Sequence, residues 1–140
     1  MALVLAIDGR KRALNTRLRN LNTGENFVYH LYSNNYTPVD GSVLANFTES
    51  AFAGYASQIV LAADWTSPVD DGTCVTCTAP AHTWTSTGAP AEQAYGYFVT
   101  SSVDAVLLWA EKFAAPVDMS LAGRSTILTP TYQNKTGTPC

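Results

Sequence analysis

The sequence predicts an all-β protein, an antiparallel β-sandwich or jelly roll with a short N-terminal helix or arm. Short runs of aromatic and β-branched residues recur along the chain, and clusters of Pro, Gly and Ser separate them. These runs do not alternate with helical patterns, which argues against parallel βαβ units. The 140 residues suffice for one domain with one core. We expect a single β domain over residues 1–140, with an arm or helix at 1–21 and a flexible tail at 134–140.

The first strand is predicted at residues 26–32, where Phe27, Tyr29 and Leu31 occupy alternate positions. A loop follows at residues 33–38, because Asn tolerates turn geometry and Pro38 removes a backbone donor. Residues 43–54 fit either a short helix or a loop that Gly54 closes. Further strands are predicted at 56–63, 83–87, 95–101, 105–110 and 125–133. The longest irregular stretch is expected at residues 67–81.

Two of these strands are predicted to form the centre of a sheet. Residues 95–100 (YGYFVT) and 106–110 (VLLWA) are both apolar, and a short polar segment, SSVD, joins them. Adjacent strands with a short connection usually pair as an antiparallel hairpin. We therefore expect a central hairpin here.

The low content of charged residues favours a protein that assembles with other chains. Charged residues make up 14% of the sequence and the formal net charge is −3, whereas about 25% charged residues is usual. A surface with little charge repels other copies weakly. A neutral β domain that stays monomeric would have a similar composition, so composition alone does not settle this point.

A basic segment near the N-terminus is the candidate partner interface. Leu14, Leu18 and Leu21 have helical spacing, which predicts an amphipathic helix over residues 9–21. Cations on one face of such a helix can bind phosphates or an acidic protein surface, although a solvated outer face has the same pattern. The basic residues of this candidate interface are Arg10, Lys11, Arg12, Arg17 and Arg19.

The overall charge and the N-terminal residues bear on the partners and the cellular location of the protein. The net charge of −3 and the pI of about 5.1 are not those of a basic nucleic-acid-binding domain, so nucleic acid is not an expected partner. The apolar start, MALVLAI, lacks a preceding basic region and is too short to cross a bilayer. We expect a cytosolic product that has no cleaved signal and no membrane partner.

The cysteines allow three interpretations. Cys74, Cys77 and His82 have spacing compatible with zinc, and Cys140 could add a fourth ligand. A CxxC pair can also be redox-active, but such pairs usually open a helix, whereas this one lies among Thr and Pro. Unreactive loop thiols are the third interpretation. We expect neither a metal nor another cofactor.

The sequence contains no recognisable catalytic constellation. A hydrolytic nucleophile needs a base and an orienting group, and the only histidines are His30 and His82. Neither adjoins a GxSxG turn or an obvious carboxylate in the sequence. We therefore expect no catalytic residues and a protein that is not an enzyme.

Several segments, taken together, resemble small virion-associated proteins of tailed bacteriophages. The likeness runs in order from about residue 8 to residue 133. The segments that carry it are 31–38 (LYSNNYTP), 47–55 (FTESAFAGY), 63–66 (ADWT), 95–100 (YGYFVT) and 107–113 (LLWAEKF). The stretch with Cys74, Cys77 and His82 departs from the pattern.

The resemblance implies a structural role. It suggests a capsid decoration (cement) protein on the capsid surface of the virion, which forms a homotrimer and binds and stabilises the lattice of the major capsid protein. The alternative is a tail-fibre or adaptor component that binds a host receptor or carbohydrate. For that alternative, exposed rings of Tyr36, Trp65 or Trp84 would stack on sugars.

Overall fold

The computed structural model describes residues 4–6, 8–9, 24–70 and 75–134, and it shows an all-β fold of antiparallel sheets, consistent with a sandwich. Two 3-10 turns, Leu44–Asn46 and Ala62–Asp64, interrupt the strands. The strands are β1 (Val4–Leu5), β2 (Phe27–Tyr32), β3 (Gln58–Val60), β4 (Val69–Asp70), β5 (Val75–Thr78), β6 (His82–Thr85), β7 (Gln93–Ser101), β8 (Leu107–Asp118), β9 (Ser125–Leu128) and β10 (Thr131–Asn134).

The larger layer is a five-stranded sheet with the order β1-β8-β7-β2-β3. All its neighbouring strands are antiparallel, and β2 pairs with β7 over its full length, from Phe27 opposite Ser101 to Tyr32 opposite Gly96. The predicted hairpin is confirmed as β7 and β8. A bulge beside Val99 adds one residue to β8, so that Leu107 and Trp109 pair with neighbouring residues of β7.

The smaller layer is a long two-stranded ribbon with a break in its middle. On one side of the break β5 pairs with β10, and β4 extends that part; on the other side β6 pairs with β9. The break falls where Pro80 and Pro130 remove two backbone donors, and Ala79 N–H donates to Pro130 O at 2.9 Å. We call β4, β5, β6, β9 and β10 together the ribbon.

The main core lies between the ribbon and the large sheet. Trp84 of the ribbon is 1% exposed, and its indole N–H donates to Ala56 O at 2.8 Å. Tyr132 of the ribbon contacts Trp109 of the large sheet, with ring centroids 5.5 Å apart. Tyr29, also buried here, stacks on Tyr97. Burial of these large aromatic side chains supplies most of the packing between the layers.

A second apolar cluster lies on the opposite face of the large sheet. The loop after β2 folds over this face, so Phe47 packs against Tyr32 and stacks on Phe98. Both faces of β2 are therefore covered. This explains why apolar residues occupy both of its alternating sets of positions, rather than the single set of a half-exposed strand.

The structure corrects several predicted boundaries. Residues 67–81, expected to be irregular, contain β4 and β5, because β5 pairs with β10, which is distant in sequence, and β4 pairs with β5. The strand predicted at 125–133 is divided by Pro130 into β9 and β10. Conversely, β3 is limited to three residues, and β8 extends to Asp118. Pro116 is tolerated within β8 because it lies where the ladder with β7 is shifted in register.

The N-terminal prediction is tested only in part. Val4 and Leu5 form an edge strand opposite Ala110 and Trp109, and Ala6 is 3% exposed. These residues belong to the sheet and are not a separate arm. The helix predicted at residues 9–21 and the tail at 134–140 lie almost entirely outside the described residues. None of the helices in the described part of the chain has the length and apolarity needed to span a bilayer.

Candidate functional site

The densest polar constellation in the described residues is centred on His30, on the loop-covered face of the large sheet. Its Nδ1 lies 2.8 Å from Glu49 Oε1, and its Nε2 lies 3.0 Å from Thr100 Oγ1. The imidazole also stacks on Phe98, with centroids 4.6 Å apart and an interplanar angle of 5°. We call Glu49, His30 and Thr100 the His30 network.

The fold positions each member of the His30 network by strand pairing. His30 is opposite Phe98 in the β2–β7 ladder, which places Thr100 diagonally across from it on the same face. Glu49 lies in the loop after β2, where it forms an isolated antiparallel bridge with Tyr32, the last residue of β2. Its position is also held by Tyr55, whose hydroxyl donates to Glu49 Oε1 at 2.8 Å.

The Tyr55 hydroxyl also serves the backbone. It accepts a hydrogen bond from the Leu31 N–H at 3.2 Å. Leu31 lies beyond residues 27–29, which are the part of β2 that pairs with β3. Burial raises the pKa of Tyr55, and its hydrogen bond to the Glu49 carboxylate raises it further. Tyr55 therefore stays protonated and keeps donating throughout the neutral range.

The donors and acceptors in the network can be assigned from chemistry. An ionised carboxylate only accepts, so the Nδ1–H of His30 donates to Glu49. In the neutral imidazole, Nε2 then accepts a hydrogen bond from the Thr100 hydroxyl. When imidazole is protonated, Nε2–H donates to the same hydroxyl oxygen, which can also accept. The arrangement therefore satisfies His30 in either charge state.

Carboxylate, imidazole and hydroxyl occur here in the order of a nucleophilic relay. Thr100, however, is 5% exposed within a central strand, and Phe98 covers one face of the imidazole. A nucleophile needs space for a substrate atom about 3 Å from its oxygen. The geometry instead fits a cross-link between β2, β7 and the loop. The proximity of Glu49 to His30, 19 residues apart, gave no signal in the sequence.

The predicted cysteine site is only partly within the described residues. Cys77 is a half-buried free thiol in β5, opposite Tyr132, and His82 begins β6, so both lie in strands rather than in a loop. Cys74 and Cys140 lie outside the described residues. Among residues 4–6, 8–9, 24–70 and 75–134, no three His, Cys, Asp or Glu side chains are grouped as metal ligands would be.

The aromatic residues proposed for carbohydrate binding do not form an exposed platform. Trp84 is part of the main core, and Trp65 is half-buried with an edge-to-face contact to Phe27. Tyr36 is half-buried against Phe47, and its hydroxyl is hydrogen-bonded to Ser42 at 2.9 Å. Stacking on a sugar needs an open ring face, which the Trp84 indole lacks.

The five residues of the candidate partner interface, Arg10, Lys11, Arg12, Arg17 and Arg19, all lie outside the described residues. Their role stays a prediction. The rest of the sequence adds one observation that bears on them, which is its charge. Residues 24–134 contain ten acidic and two basic residues, a formal net charge of −8, whereas residues 1–23 contain five basic and one acidic, a net charge of +4.

Comparisons with known proteins found no match. No protein-family model and no curated protein matches the sequence, and no solved structure matches the fold.

Proposed function

We propose that this protein is a structural component of a tailed-phage virion, a capsid decoration protein that binds and stabilises the lattice of the major capsid protein. It acts by binding, not by catalysis, and it assembles as a homotrimer at the capsid surface. The observation that carries the proposal is the division of charge between an acidic β body and a basic N-terminal segment.

The charge division supports docking on another protein. The two basic residues within 24–134 are Lys112 and Arg124, and Lys112 is engaged by Asn35 and Thr37 at 2.6 and 3.2 Å. An acidic partner surface would therefore be attracted to the basic segment and repelled by the body. Such complementarity orients a subunit on its lattice and speeds its binding.

The β body supports the same role. Its two layers are joined by buried aromatic side chains, and the His30 network fastens a loop to the sheet. A rigid body of this kind loses little conformational entropy when it binds, which favours stable attachment. The tail-fibre alternative has less support, because Trp84 is buried and Tyr36 and Trp65 are half-buried.

The test is co-sedimentation of the purified protein with capsids assembled from the major capsid protein of the same genome. We expect saturable binding that weakens as salt screens the charges. Replacing Arg10, Lys11, Arg12, Arg17 and Arg19 with Gln should abolish it. Arg124→Gln removes an exposed cation from the body and should leave it unchanged. Failure of the wild-type protein to bind, or full binding by the five-residue variant, would overturn the proposal.

A further inference from the structure

The outward face of the ribbon is a row of uncharged, mostly β-branched side chains. Tyr132 and Trp84 point inward to the core, so their neighbours along the strands point outward. We call these outward residues the ribbon face. It contains Thr76, Thr78, Thr83, Thr85, Thr131 and Ile127.

The strand registers bring these side chains into cross-strand pairs. Thr78 is opposite Thr131, and Thr83 is opposite Ile127. The two remaining outward positions of the ladders, Ser125 and Gln133, are also uncharged. Along the described strands of the ribbon, no outward position of these ladders carries a charge.

Two exposed apolar side chains lie on the ribbon face, one on each side of the break. Ile127 is 66% exposed, and Val69, which β4 places beside Thr76, is 63% exposed. Removing these apolar side chains from water is favourable, and the centres of protein interfaces are likewise depleted of charge. Thr, Ile and Val also have few rotamers to lose when they become buried. The face therefore has the properties of a docking surface.

From these observations we infer that a second copy of this chain docks on the ribbon face. The full chain has a net charge of only −3, but residues 24–134 alone carry −8, so two bodies repel each other where their acidic surfaces meet. The ribbon face carries none of those charges, so copies that approach there avoid this repulsion. Hydroxyl groups both donate and accept hydrogen bonds, so threonines of two identical chains can pair with each other. Carboxylates cannot do so.

This contact rests on the homotrimer of the proposed function, for which it names the surface where copies meet, and it is tested without particles. Sedimentation velocity of the purified full chain should give a mass above one chain that rises with concentration. Ile127→Glu should weaken the association at least about tenfold, because the carboxylate would be desolvated without a partner. Thr83→Glu, at the opposing position, provides a second variant should Ile127→Glu fail to fold.

The matched control is Val103→Glu. Val103 is 64% exposed, in the turn between β7 and β8, so the substitution adds the same charge at the same exposure but away from the ribbon. We expect it to associate like the wild type. A wild-type protein that stays monomeric, a folded ribbon-face variant that associates fully, or equal weakening by Val103→Glu would overturn the inference. None of these results depends on capsid binding.

Discussion

Replacing His30 with Ala should destabilise the fold by about 3 kcal/mol, a sum of three effects. Thr100, which is 5% exposed, would lose its imidazole partner, and an unsatisfied buried hydroxyl costs about 1–3 kcal/mol. Loss of the stacking contact with Phe98 at 4.6 Å removes about 0.5–1.5 kcal/mol. Glu49 has a side chain 46% exposed, so its bond contributes at most about 1 kcal/mol.

The assay is urea unfolding at neutral pH, followed by tryptophan fluorescence. The midpoint should fall while the slope with denaturant is retained, because the same surface is exposed on unfolding. Thr100→Val serves as the partner in a double-mutant cycle. It replaces the hydroxyl by a methyl group of similar size, so the double variant should lose about 1 kcal/mol less than the sum of the single losses.

Two results would refute this reasoning. One is a loss below about 1 kcal/mol for His30→Ala, which would mean that the network contributes little to the cross-link. The other is additivity within about 0.3 kcal/mol in the cycle, which would mean that His30 and Thr100 are not coupled.

Glu49→Gln keeps an acceptor for Nδ1–H and should cost about 0.5 kcal/mol or less.

Three further predictions concern the packing and the sheet. Gly96→Ala should cost at least about 2 kcal/mol, because its Cβ would clash with Glu111 O and lie 2.5 Å from the Tyr32 hydroxyl; Gly41→Ala, with open space around it, is the control for urea unfolding. Burial raises the pKa of Tyr97. The contribution of this residue to the free energy of unfolding should therefore be constant below about pH 10 and should fall above it by about 1.4 kcal/mol per pH unit. Tyr97→Phe should make the decrease of stability above about pH 10 less steep. Deleting residues 1–9 should lower the melting temperature because it removes β1; an unchanged value would show that β1 contributes nothing.

The pattern of side chains was sufficient to predict most strands of the large sheet. Alternating aromatic and β-branched residues mark β2 and β7, and the short polar segment SSVD predicts the hairpin of β7 and β8 because nearby strands pair at small entropic cost. The charge division and the basic segment at residues 10–19 are also properties of the sequence itself. These features are local, so they can be found without knowing the fold.

The ribbon and the His30 network required the tertiary structure. β4 and β5 have weak local signals. β5 becomes a strand because β10, more than 50 residues later, supplies its hydrogen-bond partners, and β4 in turn pairs with β5. The sequence is equally compatible with a surface position for Trp84, and only the packing of the two layers shows that its indole is buried. The ribbon face also depends on the register, since a shift of one residue would have turned Thr83 inward and Trp84 outward. Long-range pairing decides such features, and a single sequence does not record which distant strands will meet.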